Sequence, residues 1–535
     1  MTSDSDRALW PGGLRLRRTA GLGLVLLLGL GGAACRLDRH LDEEPAPERA
    51  PSRDERIAAA IEVELARDAQ VPHESIAQKV TDGVVELTGT VADLLSRRRA
   101  VRLVRCVRGV RAVVDRLQVE PAVPVADTQL AAAVREALQL EPAVAAARLE
   151  VAARAGTVTL RGTVDSPRTR VLAEKTAAAV SGVRAVEDRI EVATSAGRSD
   201  ADIRSEILAS LRFDALLDHR FIDVTVRDGR VELSGRVGSA AERRRAEADA
   251  WIRGAREVDV GRLQVAPWQD TPHRCLPAGG PPGDRAIRDA VELAMVHDPR
   301  VDASRIELRV DDGVVHLTGR VGRLAAQRAA ADDARNTVGV VRVDNLIQVR
   351  PQSEQRDTAV EQRLERALQR AAGLEDYPIE VAVERGVARL SGTVDAYYQK
   401  ARADEVAAAV AGVVRLNNAL AVRAERSPFV FDPYVDDWQV HGYGWRPSPP
   451  AARTRDAADD RALRRAIEQK LRWNPFIDPA AIQIAVAGGA VTLSGRVASP
   501  AARQSATAAA LAAGASSVIN RLELATGAAE QEPAP

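Results

Sequence analysis

The chain has 535 residues, 46% of them hydrophobic and only 3% aromatic. That length excludes a single core and calls for several domains, and cores built from Ala, Val, Leu and Ile suit small domains better than one large enzyme. A formal net charge of zero leaves no global field to draw the chain to nucleic acid, and Cys35, Cys106 and Cys275 form neither a CxxC nor a metal-binding spacing.

At the N-terminus, Arg7, Arg15, Arg17 and Arg18 precede an apolar run from Ala20 to Ala34. The run has the length of a secretory signal core and is short for a membrane span. It ends in small residues and Cys35, and it resembles the lipobox of bacterial lipoproteins, with Gly32 where that family usually has Leu. The resemblance implies a signal peptide over 1–35 and acylation of the Cys35 thiol, the lipid attachment site. An uncleaved anchor or ordinary secretion is the alternative, and either reading exports the chain. Arg36, where some bacteria use Asp for inner-membrane retention, favours the outer membrane. Residues 36–52 are polar and Pro-rich, as a linker would be.

The rest of the chain is a repeat array. The segment "DGVVELTGTV" at 82–91 returns five times, with first glycines at Gly83, Gly156, Gly229, Gly313, Gly386 and Gly489 and a second glycine six residues later in each copy. The basic spacing is 73 residues, enlarged by insertions of 11 and 30. An Asp lies 29 residues before each first glycine: Asp54, Asp127, Asp200, Asp284, Asp357 and Asp460. Aliphatic residues follow it every four positions, as in Ile57, Ile61 and Leu65, which predicts one buried face of a helix. The Asp suits the helix N-terminus, and "SRDE" at 52–55 reads as a capping box. A short alternating strand comes next, then a hairpin turn at the first glycine. A second strand follows, in which the internal glycine marks a bulge or a close backbone approach. A second helix is predicted to stop at Gly109 and its equivalents, and a last strand closes the unit. The predicted fold class is α+β: a tandem array of six α-β-β-α-β domains, each with two helices on a three-stranded sheet.

This order of Asp, helix, "GxVxLxGxV", helix and "GVxxVxNxL" is similar to the BON (bacterial OsmY and nodulation) domain. The copies fall at 53–120, 126–194, 199–266, 283–350, 356–423 and 459–525, separated by a linker at 267–282 and an aromatic-rich insertion at 424–458, with a tail at 526–535. Asn345, Asn417, Asn418 and Asn520 keep the Asn of the last strand; the first copy has Asp115, and the third is irregular. The resemblance implies an exported envelope protein associated with osmotic stress and outer-membrane integrity, with anionic phospholipid as one class of partner. It carries no catalytic motif.

No other motif supplies chemistry. There is no Gly-Lys, so the twin glycines are not a phosphate loop. The seven histidines show no metal spacing. Cys106 falls in the aliphatic pattern of a second helix and is expected to be buried. The segment 96–111 is richer: it holds seven arginines and no acid, with Ala100, Leu103, Val104 and Val107 as its buried stripe. Arg98, Arg102 and Arg105 share the opposite face, read either as solvated or as a contact for anionic lipid headgroups. The aromatic insertion either packs onto a neighbouring repeat or docks on a partner or membrane interface, for which Trp438, Tyr443 and Trp445 are the candidate contacts.

The sequence therefore points to a non-enzymatic exported protein that binds membrane phospholipid or envelope proteins. It implies no cofactor, no metal, no nucleic acid and no small-molecule substrate. The competing class is a periplasmic chaperone that holds unfolded exported clients.

Overall fold

The computed structural model describes residues 51–68, 71–121, 124–193, 198–214, 217–266, 282–351, 355–395, 397–422, 457–473, 477–497, 500–513, 515 and 517–524. Six α-β-β-α-β units follow one another. Their helices are α1 (Arg53–Arg67) and α2 (Leu94–Arg105) in repeat 1, and α3 (Asp127–Gln139), the short α4 (Pro142–Ala147) and α5 (Pro167–Ala178) in repeat 2. Repeat 3 has α6 (Asp200–Phe213) and α7 (Ala240–Ala250), and repeat 4 has α8 (Asp284–His297) and α9 (Leu324–Arg335). Repeat 5 has α10 (Asp357–Arg370) and α11 (Tyr397–Ala409), and repeat 6 has α12 (Ala457–Trp473) and α13 (Pro500–Ala512).

Repeat 1 shows the sheet. Strand β1 (Ile76–Thr81) pairs antiparallel with β2 (Val84–Val91), and β2 pairs parallel with β3 (Ala112–Val119). The antiparallel pair is joined by a two-residue hairpin, and the parallel pair requires a crossover, which α2 provides. Asp82 (φ 50°) and Gly83 (φ 73°) both have positive φ, the geometry of a type I′ turn. In repeats 4 and 5 the last strand is interrupted, and its two halves pair with successive parts of the central strand or its continuation. In repeat 3 the parallel pairing shifts register between Glu232 and Ser234, the structural form of that copy's irregular sequence.

The first helices bury the stripe that the four-residue spacing predicts. None of the three stripe residues in any repeat, Ile57, Ile61 and Leu65 being the first set, is more than 5% exposed. Ser52 and Glu55 form the capping box. The Asp at each helix start does more than face the dipole. In repeat 1, Asp54 Oδ2 accepts the N–H of Asp82 at 2.7 Å, and Oδ1 accepts that of Gly83 at 3.0 Å. The same pair of bonds recurs from Asp127, Asp200, Asp284, Asp357 and Asp460. The constant Asp-to-Gly separation is the sequence trace of a clamp holding the hairpin turn against the first helix.

Both glycine classes within the strands and turns are explained by close approach. At Gly89 (φ 127°), an added Cβ would lie 2.0 Å from the carbonyl oxygen of Ser75. In repeats 1 to 5 the glycines after the second helices are not helix stops, and Gly514 of repeat 6 lies outside the described residues. Helix α2 ends at Arg105, and Gly109 lies beyond it in the turn toward β3, where a Cβ would lie 3.0 Å from Ile57 Cδ1. A side chain there would press on the first-helix stripe.

The repeats are packed together. Repeats 1 and 2 share one hydrophobic core, and repeats 4 and 5 share another. Repeats 3 and 6 each have their own. Repeats distant in sequence also join. An antiparallel bridge links Val180 to Ala371, flanked by Ser181 N–H donating to Arg370 O at 2.9 Å and Ala372 N–H to Ala179 O at 3.0 Å. Asp214 and Thr337 form the second bridge, with Val338 N–H donating to Phe213 O at 2.8 Å. Both bridges put the end of a first helix against the segment after another repeat's second helix. Lys470 Nζ of repeat 6 meets Glu64 of repeat 1 at 3.0 Å.

Candidate functional site: an arginine-lined cavity between repeats

The helices of repeats 1, 2, 3 and 5, with Arg323 at the head of α9 in repeat 4, surround a cavity of about 920 Å³. Each sheet has one face under its own helices; the cavity lies on the other side of those helices. Twelve lining side chains are cationic and five are acidic.

Arg98, Arg102 and Arg105 all line this cavity. Their face lies opposite the buried stripe of α2, as the spacing predicts, but it is not a free solvated face. All three residues are half-buried, because neighbouring repeats close over them. Arg98 forms an ion pair with Glu174 of repeat 2 at 2.5 Å. Burial lowers the pKa of Arg105, and the nearby Arg244 of repeat 3 lowers it further. Arg99 pairs with the buried Asp68 at 2.6 Å and lies 5.1 Å from the ring centre of Tyr398 in repeat 5. Tyr398 is itself so enclosed that its hydroxyl is pushed up to about 12. Cys106 is half-exposed rather than buried: α2 stops one residue before it, and the residue turns to the cavity wall.

The remaining wall comes from residues that the spacing of α2 cannot reveal. Arg366 meets Glu136 of repeat 2 at 3.4 Å, and Arg370 pairs with the same carboxylate. Arg402 pairs with Glu405 at 2.7 Å. Arg323 donates to Ala409 O at 2.6 Å and also to Leu140 O, so one guanidinium joins repeats 2, 4 and 5. Arg363 bonds to the side chain of Gln355 and to Ala411 O at 3.3 Å. Burial lowers the pKa of Arg323, with Arg363 adding to the shift, and burial lowers that of Arg363, with Arg366 adding to it.

Cys35 and Trp438, Tyr443 and Trp445 lie outside the described residues. The turn glycines Gly83, Gly156, Gly229, Gly313, Gly386 and Gly489 are far from any chemistry and all have positive φ. Among the described residues, no group of three or more His, Cys, Asp or Glu side chains could hold a metal ion. No described helix is long and apolar enough to cross a membrane.

Several carboxyls buried in or beside the seams between repeats are held far from their usual state. Burial raises Glu141 from 4.5 to about 7, against the pull of Arg300 and Arg323. It raises Asp332 to about 7, and Asp249 and Asp333 well above the ordinary carboxylate range. A raised folded-state value means that the folded chain holds protons the unfolded chain has lost, so stability falls as pH rises through that interval. The penalty is absent near pH 4 and complete above about pH 7 for Glu141. His219, lowered by burial, acts in the opposite sense, and Glu206, lowered to about 2, contributes a constant amount between pH 5.5 and 8. Urea midpoints should therefore be higher at pH 5.5 than at pH 8. Glu141→Gln should remove part of that slope and stabilise the protein at pH 8 by up to about 3 kcal/mol. An unchanged slope in that variant would contradict the assignment.

Comparisons with known proteins agree with this architecture. The family model described as "BON domain" matches residues 53–121, 126–194, 199–267, 283–351, 356–424 and 459–526. Osmotically-inducible protein Y of Escherichia coli (strain K12) is 31% identical over 146 residues, which covers 26% of this chain and 73% of that protein. That stretch has the length of two repeats. Two structures of CdsD, a structural protein of the type III secretion system of Chlamydia trachomatis, are 14% identical and cover 41% and 42% of this chain. They cover 100% and 93% of their own chains, but their TM-scores of 0.11 and 0.12 give them no weight. With six matches spread over most of its length, the chain belongs to the BON domain family.

Proposed function

We propose that this protein is an exported, non-enzymatic envelope protein whose BON repeats bind phospholipid membrane or envelope partners under osmotic or envelope stress. The observation that carries this reading is the likeness of two repeats to an osmotically inducible protein within an array made of BON domains. Acylation at Cys35 would hold the array at a membrane, with the polar 36–52 segment as its tether. Weak contacts from several repeats on one chain then add through high effective concentration. Repeats that pack their helices together present their outer sheet faces, such as that bearing Lys79, Glu86 and Arg116, and these replace α2 as the first candidates for membrane contact. Trp438, Tyr443 and Trp445 are a second candidate contact.

Two measurements test the reading. Metabolic palmitate should label the wild-type chain and not Cys35→Ala, with the label in the membrane fraction. The purified Cys35→Ala chain should sediment with vesicles containing phosphatidylglycerol and much less with phosphatidylcholine alone. Sedimentation with neither lipid, together with suppression of client aggregation, would replace the membrane reading with a chaperone.

A further inference from the structure

The central cavity holds more positive charge than its walls neutralise, and we propose that it is a binding site for a soluble anion bearing several phosphate groups. Its acids are largely committed: Glu174 to Arg98, Glu136 to Arg366 and Arg370, Glu405 to Arg402, and Asp115 to Arg97 outside the lining. Among the described residues, Arg105, Arg323 and Arg363 pair with no carboxylate. The Nε of Arg363 is buried without any hydrogen-bond partner.

The charge that no ion pair neutralises lies in two places. Arg105 of repeat 1 has Arg244 of repeat 3 beside it, itself paired with Glu247 at 3.1 Å, and Arg323 of repeat 4 has Arg363 of repeat 5 beside it, with Glu141 the one nearby lining acid. Like charges held together in a partly buried space lose hydration and repel one another, and an anion entering between them relieves both costs. The guanidinium presents a planar fork that matches phosphate oxygens two at a time. Two such places, rather than one, favour a ligand with more than one phosphate over a single small ion. The volume of about 920 Å³ is within the range of ligand pockets, roughly 300–1,000 Å³. Leu95, Val171, Leu172 and Val406 give the remaining wall an apolar character that limits competition from water.

This site is independent of membrane contact by the outer faces, and the two can fail separately. The probe is inorganic tripolyphosphate, titrated calorimetrically into the full-length chain at physiological salt. One tripolyphosphate per chain is expected. Arg105→Gln combined with Arg363→Gln should weaken it by at least about tenfold. Arg464→Gln, on α12 outside the cavity wall where that side chain is 58% exposed, should not change it. Equal affinity in the double variant overturns the proposal. If that variant fails to fold, the wild type decides: tripolyphosphate must raise Tm more than sodium chloride of the same ionic strength, and an equal effect overturns the proposal. Phosphatidylglycerol vesicles distinguish the source of the phosphate. Binding of vesicles without displacement of tripolyphosphate supports a soluble ligand, and displacement reassigns the cavity to a lipid headgroup.

Discussion

Gly89→Ala is expected to unfold repeat 1 and to destabilise the core it shares with repeat 2, at a cost of more than about 4 kcal/mol. The new Cβ would sit 2.0 Å from the Ser75 carbonyl oxygen, a backbone atom that cannot rotate away, and the φ of 127° suits glycine alone. Gly89 also pairs with Ile76 in the sheet, so relief by moving the backbone would break the register of β1 on β2. The same carbonyl approach occurs at Gly235, Gly319, Gly392 and Gly495. At Gly162 the nearest atom is instead Leu149 Cδ2 at 2.8 Å, a side chain that can shift. Gly162→Ala should therefore cost less than Gly89→Ala. Gly488→Ala provides a further contrast: its φ is 57° but nothing lies within 4 Å of a Cβ there, so a loss of about 1 kcal/mol is expected. Urea unfolding of the three variants, with hydrogen exchange to locate the lost protection, checks the order. A Gly89→Ala protein as stable as Gly488→Ala would contradict the close-approach explanation.

The comparison of these glycines shows what a sequence can and cannot carry. Repetition identifies the unit, its helices, its hairpin and its family, because every copy must solve the same local packing problem. The second glycine is legible as a special position, yet the choice between a bulge and a close approach depends on the Ser75 carbonyl, which a strand pattern does not locate. The post-helix glycine is misread as a helix stop because Gly109 and the end of α2 are only a few residues apart, and the atom that excludes a side chain is Ile57 in the other helix. The cavity is less legible still. Its arginines come from non-adjacent repeats, and repeat 2 bridges to repeat 5 while repeat 3 bridges to repeat 4. The excess of Arg on α2 over acid is visible in one copy, but its facing partners Glu174, Arg244 and Tyr398 share no spacing that would reveal them.

The clamp aspartates should give the second-largest loss, and repeat 5 is the most sensitive place to measure it. Asp357 Oδ2 accepts the N–H of Arg385 at 2.7 Å and Oδ1 accepts that of Gly386 at 3.0 Å. Arg385 has φ 50°, a left-handed conformation that costs a non-glycine residue about 1–2 kcal/mol. Other repeats hold Asp or Gly at that turn position, apart from Ala155 in repeat 2, so in repeat 5 the carboxylate must offset an unfavourable backbone as well as satisfy two donors. Asp357→Ala removes both charge-assisted bonds. Water can reach the exposed Arg385 N–H more readily than the half-buried Gly386 N–H, so the expected loss is about 3 kcal/mol rather than the sum of two fully buried bonds. Asp357→Asn keeps an isosteric side chain but presents only one acceptor oxygen toward two donors, so it should lose about half as much. If the Asp acted only through the helix dipole, Asn and Ala would both cost less than about 1 kcal/mol. Arg385→Gly should gain about 1 kcal/mol in either background, because it removes the turn's conformational cost whether or not the carboxylate is present. The size of the Asp357→Ala loss in urea, with Asp357→Asn falling between it and the wild type, thus separates a turn held by its carboxylate from a helix that merely begins with one.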